Sequence, residues 1–376
     1  MSDKEQIIDI IQRIKDILSS RPKDIGLVDF LKSIYKQYVE MIATLDDRIA
    51  RPEMLKEGLI ETIDKVVKRI FLSIEEYYDG RISSAEAEID FLFQDLRLIL
   101  PDGYNQFSIN SNDIWYRGRI INEGIRIYPR KEMFHIPNHL RENVSNQRFS
   151  FNGYPCLYMG KSIWTCWEEL DEPDLDNVCF SALKITQNLQ IFDLSIPTPG
   201  SIKNKSLEEL IAMLIILPLS IACTIKTKNE KANFKEEYII PQLMMIDLLE
   251  HLYFAPYKID GFVFTSTKEN STFGWDEKYL LNIVLPVRGE FDKDGLCVGL
   301  KNKILITEPI CHKYEILKSN ISSMIEASEE EIDAIFDDRI QNDENNSDIY
   351  PRTLFGQMEK LLNDAEFKTM LYSEPC

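Results

Sequence analysis

The sequence predicts an α+β protein, with an all-helical bundle at the N-terminal end and a mixed α/β domain after it. Two observations predict this class. Up to residue 100, apolar side chains recur every three or four positions, which is the period of one face of an α-helix. Beyond Pro101, short strand-like runs alternate with helical pieces at uneven spacing, which is typical of α+β proteins and not of a regular βαβ repeat. The chain of 376 residues is long enough for two domains with a sizeable core.

Four amphipathic helices are predicted in the N-terminal region. Their apolar stripes span residues 7–18, 27–45, 55–77 and 84–100. The stripes end at residues that interrupt helices, namely Arg21-Pro22, Pro52, Asp79-Gly80 and Pro101. Short breaks between helices of this kind favour an antiparallel bundle.

Short apolar and β-branched runs predict the strands of the second domain. The runs cover residues 156–159, 178–185, 189–194, 261–266 and 280–285. A domain boundary is predicted at residues 101–113, where the period changes. The resulting domains are a helical bundle over 1–105, a mixed domain over 110–290 and a C-terminal extension over 291–376.

Residues 210–225 form an uncharged segment of 16 residues, LIAMLIILPLSIACTI. It is shorter than the roughly 20 residues that a membrane-spanning helix needs, and Pro218 is expected to break it. We therefore predict a buried core helix followed by a strand. Further on, residues 328–348 hold nine acids and one base and predict a solvated linker, and residues 350–370 predict a last small helix.

The overall charge and the cysteine usage exclude several classes of function. A formal net charge of -19 argues against nucleic acid or an anionic membrane as the main partner, because neither is attracted to a negative surface. The seven cysteines contain no CxxC pair, and with four histidines the chain offers no pattern of metal ligands. The start of the sequence is charged and lacks an apolar signal core, so a cytoplasmic protein without a bound metal is expected.

A local basic segment stands out against this acidity. Residues 117–148 carry seven Arg and Lys but only three acids. Positive charge concentrated in an acidic protein favours a site for a small anion. A strand-like run follows, then a helix with the pair Glu168-Glu169. Cations to hold phosphates, aromatic rings to stack and a carboxylate to act predict a site that cleaves a nucleotide.

Several sequence blocks resemble the RES family, which is named for an Arg, a Glu and a Ser and whose members degrade NAD and are often toxins. The blocks are WYRGR, QRFSFNGYPCLYMGKSIWTCWEEL and DGFVFTSTKENSTFGWDEKYLLNIVLP, with EEYIIPQLMM as a further recurrent segment. The resemblance covers residues 114–286. It implies a mixed α/β fold similar to the ADP-ribosyltransferase architecture, with NAD as the substrate and no cofactor.

The resemblance also implies roles for individual residues. Arg117, Glu169 and Ser266 match the catalytic set, and Arg148, Tyr158 and Asn282 match positions that bind substrate. Gln242 is a weaker candidate. Matching Ser162 and Thr165 to the family pattern puts the family carboxylate at Glu169, although Glu168 stays open because the two side chains point about 100° apart on a helix.

The N-terminal bundle resembles the helical HEPN domains that precede RES domains. Ribonucleases of that group need an Arg and a His closely spaced in the bundle, and the first histidine here is His135. Ribonuclease activity is therefore disfavoured, and we expect the bundle to regulate the enzyme or to bind a partner such as a cognate antitoxin. The additional domains leave toxin–antitoxin behaviour open, as they do the oligomeric state.

Cleavage of the nicotinamide–ribose bond fits the implied residues chemically. The leaving group is a cation that departs as a neutral molecule, so the enzyme must stabilise an oxocarbenium-like ribose and hold the rest of the dinucleotide. A carboxylate does the first, and Arg binds phosphate oxygens in a bidentate manner. The sequence does not separate a glycohydrolase from a phosphorylase, from transfer of ADP-ribose to a macromolecule, or from an inactive NAD-binding protein.

Overall fold

The computed structural model describes residues 3–19, 24–45, 56–100, 106–198, 202, 205–250, 259–268, 277–312 and 350–370. The α+β class predicted from the sequence is confirmed. The chain forms two compact units. The first unit comprises residues 1–107, 145–152 and 190–267, and the second comprises residues 108–144, 153–189 and 268–376.

Helices and strands alternate along the chain without a regular repeat. The helices are α1 (Asp3–Ser19), α2 (Leu27–Ala43), α3 (Lys56–Tyr78), α4 (Ile82–Ile99), α5 (Ile163–Glu169), α6 (Leu207–Thr224), α7 (Ile239–Glu250), α8 (Val298–Lys301) and α9 (Leu354–Asp364). The strands are β1 (Gln106–Ile109), β2 (Ile114–Ile120), β3 (Cys156–Gly160), β4 (Val178–Ile185), β5 (Leu189–Asp193), β6 (Ile259–Thr265), β7 (Leu281–Pro286) and β8 (Ile304–Ile306).

The first unit is built from α1 to α4 together with α6 and α7. The four predicted amphipathic helices are all present, and α3 packs against α4 and α6 while α4 packs against α7. In the same unit β5 and β6 pair in parallel, with Phe192 opposite Phe262. The units differ from the predicted domains, because α6 and α7 complete the helical bundle although they lie far along the chain.

Helix α6 corrects the expectation for the uncharged segment. It runs unbroken through Pro218 to Thr224, and no strand directly follows it among the described residues. Proline removes one backbone N–H, which in a helix would have bonded to the carbonyl four residues earlier, here that of Leu214. The hydroxyl of Tyr38 donates to this oxygen at 2.6 Å, so the buried carbonyl still has a donor. Helix α6 can therefore tolerate the proline.

The length and hydropathy of α6 are those of a helix able to cross a membrane. Its most apolar window is 78% buried inside the protein, however. The segment is therefore a core helix of the first unit, as predicted.

In the second unit the strands pair antiparallel in the order β7, β3, β2, β4 and β8. Helices α5 and α9 cover one face of this sheet, with Tyr116, Phe180 and Ala182 of the sheet in the shared core. Gly160 allows α5 to lie close to β3, because a Cβ there would be 2.8 Å from Sγ of Cys166. We call this side of the sheet the α5 face.

The strand predictions agree closely with the observed sheet. Strand β4 has the predicted bounds, and the other predicted strands are displaced by no more than two residues at either end. Strands β1, β2 and β8 were not among the predicted runs. The predicted last helix corresponds to α9. The acidic linker over 328–348 and the residues Arg21, Pro22, Pro52 and Pro101 lie outside the described residues.

Candidate active site

Helix α5, which carries both candidate glutamates, is fixed at its N-terminal end by side chains. The hydroxyl of Ser162 accepts a hydrogen bond from the backbone N–H of Thr165 at 3.0 Å, which makes Ser162 the N-cap. Ser162 and Thr165 also donate from their hydroxyls to the carbonyl of Tyr279, at 2.8 and 2.5 Å. The start of α5 is thus bonded to the segment that leads into β7.

The C-terminal end of α5 closes with a Schellman motif. The N–H of Glu172 donates to the carbonyl of Trp167, and the N–H of Asp171 donates to that of Glu168. Asp171 and Glu172 have φ values of 65° and 53°. This left-handed region normally favours glycine, so the turn beside Glu169 holds two non-glycine residues in strained backbone. Such strain is often found beside functional residues.

The two candidate glutamates differ in environment. Glu168 is buried, with 3% of its surface exposed, whereas Glu169 is exposed. Oε1 of Glu169 accepts a hydrogen bond of 2.7 Å from Nδ2 of Asn282 on β7. Asn282 itself is 6% exposed, so its amide is held in place by its surroundings. Glu169 is therefore the carboxylate that a ligand could reach, oriented by a buried amide.

The strand register shows which candidates share a face of the sheet. Asn282 lies opposite Gly160, and Gly160 lies opposite Tyr116, so their side-chain directions point to the α5 face. Tyr158, two residues from Gly160 on β3, points to the same face. The structure therefore brings Glu169, Asn282 and Tyr158 to one side of the sheet. Tyr158 is partly buried there.

Arg117 lies on the opposite face of the same sheet. It neighbours Tyr116 on β2 and is paired with Ser181 of β4. Its Nη1 donates to the backbone oxygen of Tyr158 at 2.8 Å, which links β2 to β3. Burial lowers the pKa of Arg117 to about 10.

Arg117 forms no ion pair within the described part of the chain. Its Nε has no hydrogen-bond partner there, and neither does the buried hydroxyl of Ser181 opposite it. Buried donors without partners are uncommon and are often used by a ligand or by water. Arg117 can therefore donate a further hydrogen bond. Its side chain lies on the opposite face of the sheet from the side chain of Tyr158.

Arg148 and Ser266 belong to the first unit. The guanidinium of Arg148 donates to the carbonyls of Cys223 and Ile225 at the end of α6, at 3.1 and 3.2 Å, and to Thr267 at 2.9 Å. It is 7% exposed. These contacts give Arg148 a packing role, and its predicted phosphate contact stays a prediction. Ser266 directly follows β6 and is 5% exposed.

Gln242 also has a structural role in the first unit. Its amide nitrogen donates to Asn146, Gln147 and Ser150, at 2.5, 2.9 and 3.2 Å. Gln242 and Arg148 thereby hold residues 145–152 in the first unit.

Two arginines of the basic segment have acidic partners. Arg119 donates to Glu132 at 3.2 Å and lies 4.0 Å from the ring centroid of Tyr128, and Arg130 lies 3.4 Å from Glu308. Arg117 differs from these two because it has no carboxylate partner among the described residues.

His135 is buried and neutral. Nδ1 bonds to the carbonyl of Ile136 and Nε2 accepts from the N–H of Cys297, which fixes the tautomer with the proton on Nδ1. Burial lowers its pKa to about 4. His135 therefore packs a loop, as the sequence indicated, while His251 lies outside the described residues. Within the described ranges, His, Cys, Asp and Glu form no group of three able to hold a metal ion.

Two residues beside the site were not singled out from the sequence. Glu359 on α9 bonds to the first residue of α5, and Tyr350 stacks on Tyr279. Both lie in the C-terminal extension, far from the blocks that resemble a family. The sequence held one signal for Glu359, which is an acid among the apolar side chains of the predicted last helix.

The chain belongs to a toxin-type protein family. The relative that shows this is the Bacillus subtilis (strain 168) protein named "Putative toxin YopC", which is 30% identical to this chain over 323 residues. The aligned region covers 82% of this chain and 70% of the relative. No protein family model and no solved structure matches the chain.

Proposed function

We propose that this chain is a toxin of the RES type that consumes NAD by cleaving its nicotinamide–ribose bond. One observation carries the proposal. Glu169, the residue that the sequence pattern selects, is the exposed carboxylate of the pair and accepts a hydrogen bond from Asn282, another residue of the pattern. These two residues are 113 positions apart in the sequence. The name of the relative supports a toxin function independently.

The proposed reaction uses Glu169 to stabilise positive charge on the ribose. The bond between C1′ and the pyridinium nitrogen breaks, and its electron pair leaves with neutral nicotinamide. Water or phosphate then forms a bond to C1′, and with water a proton is released. The carboxylate can accept hydrogen bonds from the ribose hydroxyls and becomes most stabilising as charge develops. Asn282 keeps the carboxylate in one orientation, which favours the reaction because no reorientation is needed.

Other residues have supporting roles in this proposal. Tyr158, on the same face as Asn282, offers an aromatic ring to the nicotinamide end. Arg117 holds β3 in place through the carbonyl of Tyr158. Its predicted phosphate contact stays a prediction, since its side chain points to the other face of the sheet. Ser266 is proposed to donate a hydrogen bond to the ribose or to the carboxamide of NAD, while the contacts of Arg148 favour packing.

The setting proposed for this activity is the cytoplasm, where NAD is available. We further propose that a cognate antitoxin or another regulatory protein controls the enzyme, because unrestrained loss of NAD would harm the cell that makes it. The N-terminal helices are the proposed site of that control.

Incubation of the purified full chain with NAD, with and without phosphate, tests the proposal. We expect release of nicotinamide, and identification of the second product distinguishes water, phosphate and a macromolecule as the acceptor. Glu169→Gln should lower the rate by about 10² to 10³-fold, because one charge that stabilises the transition state is lost. Glu168→Gln is the matched control, and its effect should be much smaller.

Two outcomes would contradict the proposal. A folded wild-type chain that binds NAD but releases no nicotinamide would be a binding protein. A larger effect of Glu168→Gln than of Glu169→Gln would assign the chemistry to the buried carboxylate.

A further inference from the structure

The C-terminal helix α9 contacts the beginning of α5 through a carboxylate. Oε1 of Glu359 accepts a hydrogen bond of 2.8 Å from the backbone N–H of Ile163, the first residue of α5. The first N–H groups of a helix have no partner within the helix, so an acceptor there fixes where the helix begins. Glu359 therefore contributes, together with the Ser162 cap, to fixing the start of the helix that ends at Glu169.

Tyr350 connects the same carboxylate to the other half of the candidate site. Its hydroxyl donates to Oε1 of Glu359, and its ring stacks on that of Tyr279 with 4.3 Å between the centroids. Tyr279 lies three residues before Asn282, and its carbonyl accepts the hydrogen bonds from Ser162 and Thr165. The start of α5 and the segment leading to Asn282 are thus both bound to the C-terminal residues.

Apolar packing fixes α9 against α5. The ring of Phe355 meets those of Trp164 and Trp167 of α5, at centroid distances of 5.0 and 5.3 Å. Gly356 allows the close approach of α9 to the turn before it, because a Cβ there would be 2.3 Å from the carbonyl oxygen of Tyr350. Near the end of the helix, Asn363 accepts a hydrogen bond from the hydroxyl of Tyr116 at 2.9 Å.

The partial burial of the Glu359 carboxylate costs folding free energy. Burial raises its pKa to about 7, while the hydrogen bonds from Tyr350 and from the N–H of Ile163 oppose that rise. An apolar residue at this position would pack against α5 without that cost, but it would leave the N–H of Ile163 without an acceptor. The carboxylate therefore provides directional positioning that packing does not.

We propose that Glu359 and Tyr350 are positioning residues of the active site, which hold α5 and the start of β7 so that Glu169 meets Asn282. The inference rests on the proposed function, since it is through Glu169 that a displaced α5 would alter catalysis. A shift of about 1 Å in a reacting group can lower a rate by about a hundredfold, so small movements of α5 matter. On this proposal, residues 350–364 contribute to the active site.

The test compares Glu359→Ala, Glu359→Gln and Asp364→Ala in the full chain. Asp364 is the matched control, because it is an exposed acid at the end of the same helix. We expect Glu359→Ala to lower kcat by about ten- to a hundredfold with a smaller change in the KM for NAD. Gln keeps an acceptor for the N–H of Ile163, so Glu359→Gln should recover most of the activity. Asp364→Ala should behave as the wild type.

Hydrogen exchange of the peptide over residues 161–170 gives a readout that does not depend on the reaction. In Glu359→Ala its protection should fall at a temperature where circular dichroism shows the chain to be folded, and in Asp364→Ala it should not. Unchanged protection, or unchanged kcat in a chain that consumes NAD, would overturn the inference. If the wild type does not consume NAD, the proposed function fails, and the exchange result alone then supports or overturns the positioning of α5. Should Glu359→Ala not fold, Tyr350→Phe provides the same comparison, since it removes the hydroxyl and keeps the ring on Tyr279.

Discussion

Single residues in this chain show how far chemical type and sequence position can predict a role. The match of Ser162 and Thr165 to the family pattern favoured Glu169 but left Glu168 open, and the fold shows that Glu169 is exposed while Glu168 is buried. Arg148 could not be judged in the same way. Its donors bind the carbonyls of Cys223 and Ile225, which lie more than 70 positions away, and only the folded chain brings them together.

Asp247 on α7 is a buried carboxyl group in the first unit. It is fully buried, and neither carboxylate oxygen has a hydrogen-bond partner in the described part of the chain. Burial, and then the nearby Asp90 and Glu86 of α4, raise the pKa of Asp247 from 3.8 to about 8. The carboxyl group is therefore protonated in the folded protein at neutral pH.

The raised pKa of Asp247 makes the stability of the fold depend on pH. Between pH 4 and 8 the folded state keeps a proton that the unfolded chain releases, so this group lowers the free energy of unfolding as the pH rises through that range. Asp247→Asn cannot ionise. Relative to the wild type it should gain up to about 6 kcal/mol of stability between pH 4 and pH 9, because a pKa rise of roughly four units corresponds to about 1.4 kcal/mol per unit.

Urea unfolding of both chains at several pH values measures this difference. Glu250→Gln, which changes an exposed acid at the end of the same helix, is the control. A constant difference for Asp247→Asn would mean that Asp247 is ionised in the fold.

At the scale of elements, helix α6 shows how a helix can continue through a proline. The expectation that Pro218 ends the helix follows from its missing N–H and the clash of its ring with the preceding turn. The hydroxyl of Tyr38, on α2, supplies the missing donor to Leu214 from a position 176 residues away. The apolar periodicity of the sequence does not reveal a long-range hydrogen bond of this kind.

We expect Tyr38→Phe to destabilise the first unit by about 1 to 3 kcal/mol, because the buried carbonyl of Leu214 loses its donor. Tyr35→Phe is the matched control. Its hydroxyl donates to the carbonyl of Pro218, which the helix itself can satisfy from residue 222, so the loss should be smaller. Thermal unfolding of the two variants compares them directly. Equal losses would mean that the proline needs no external donor.

The strands show a clearer relation between sequence and structure. Strand β4 was predicted with its full bounds because its residues form an unbroken run suited to a buried strand. Strand β2, IWYRGRI, was missed as an element because Arg117, Gly118 and Arg119 interrupt any apolar pattern. The contact between Glu169 and Asn282 was also beyond prediction from spacing, since it depends on the pairing of β3 with β7.

At the scale of the whole molecule, the two units are interleaved along the chain. Residues 145–152 and 190–267 belong to the same unit as the N-terminal helices. Helices α6 and α7 pack against α3 and α4, and nearly every residue of α6 is buried. The bundle is therefore an integral part of the first unit rather than a domain added in front of an enzyme.

We expect a chain that starts at residue 101 to be insoluble when it is produced alone. Without α1 to α4, the apolar surfaces of α6 and α7 would be exposed, and exposed patches of that size promote aggregation. Co-expression of residues 1–105 as a separate fragment should recover soluble protein. The measurement is the amount of monodisperse chain in size-exclusion chromatography. A soluble, folded 101–376 fragment would contradict this expectation.

The position of α9 late in the sequence has a consequence for when the candidate site can form during synthesis. During synthesis the ribosome releases the residues of β2, β3 and α5 long before those of α9. The contact of Glu359 with Ile163 cannot form until residues 350–364 have emerged. Glu169 is thus made 190 positions before Glu359, which supports the helix that carries it. Under the proposed function, this order of synthesis delays the activity until residues 350–364 have been made.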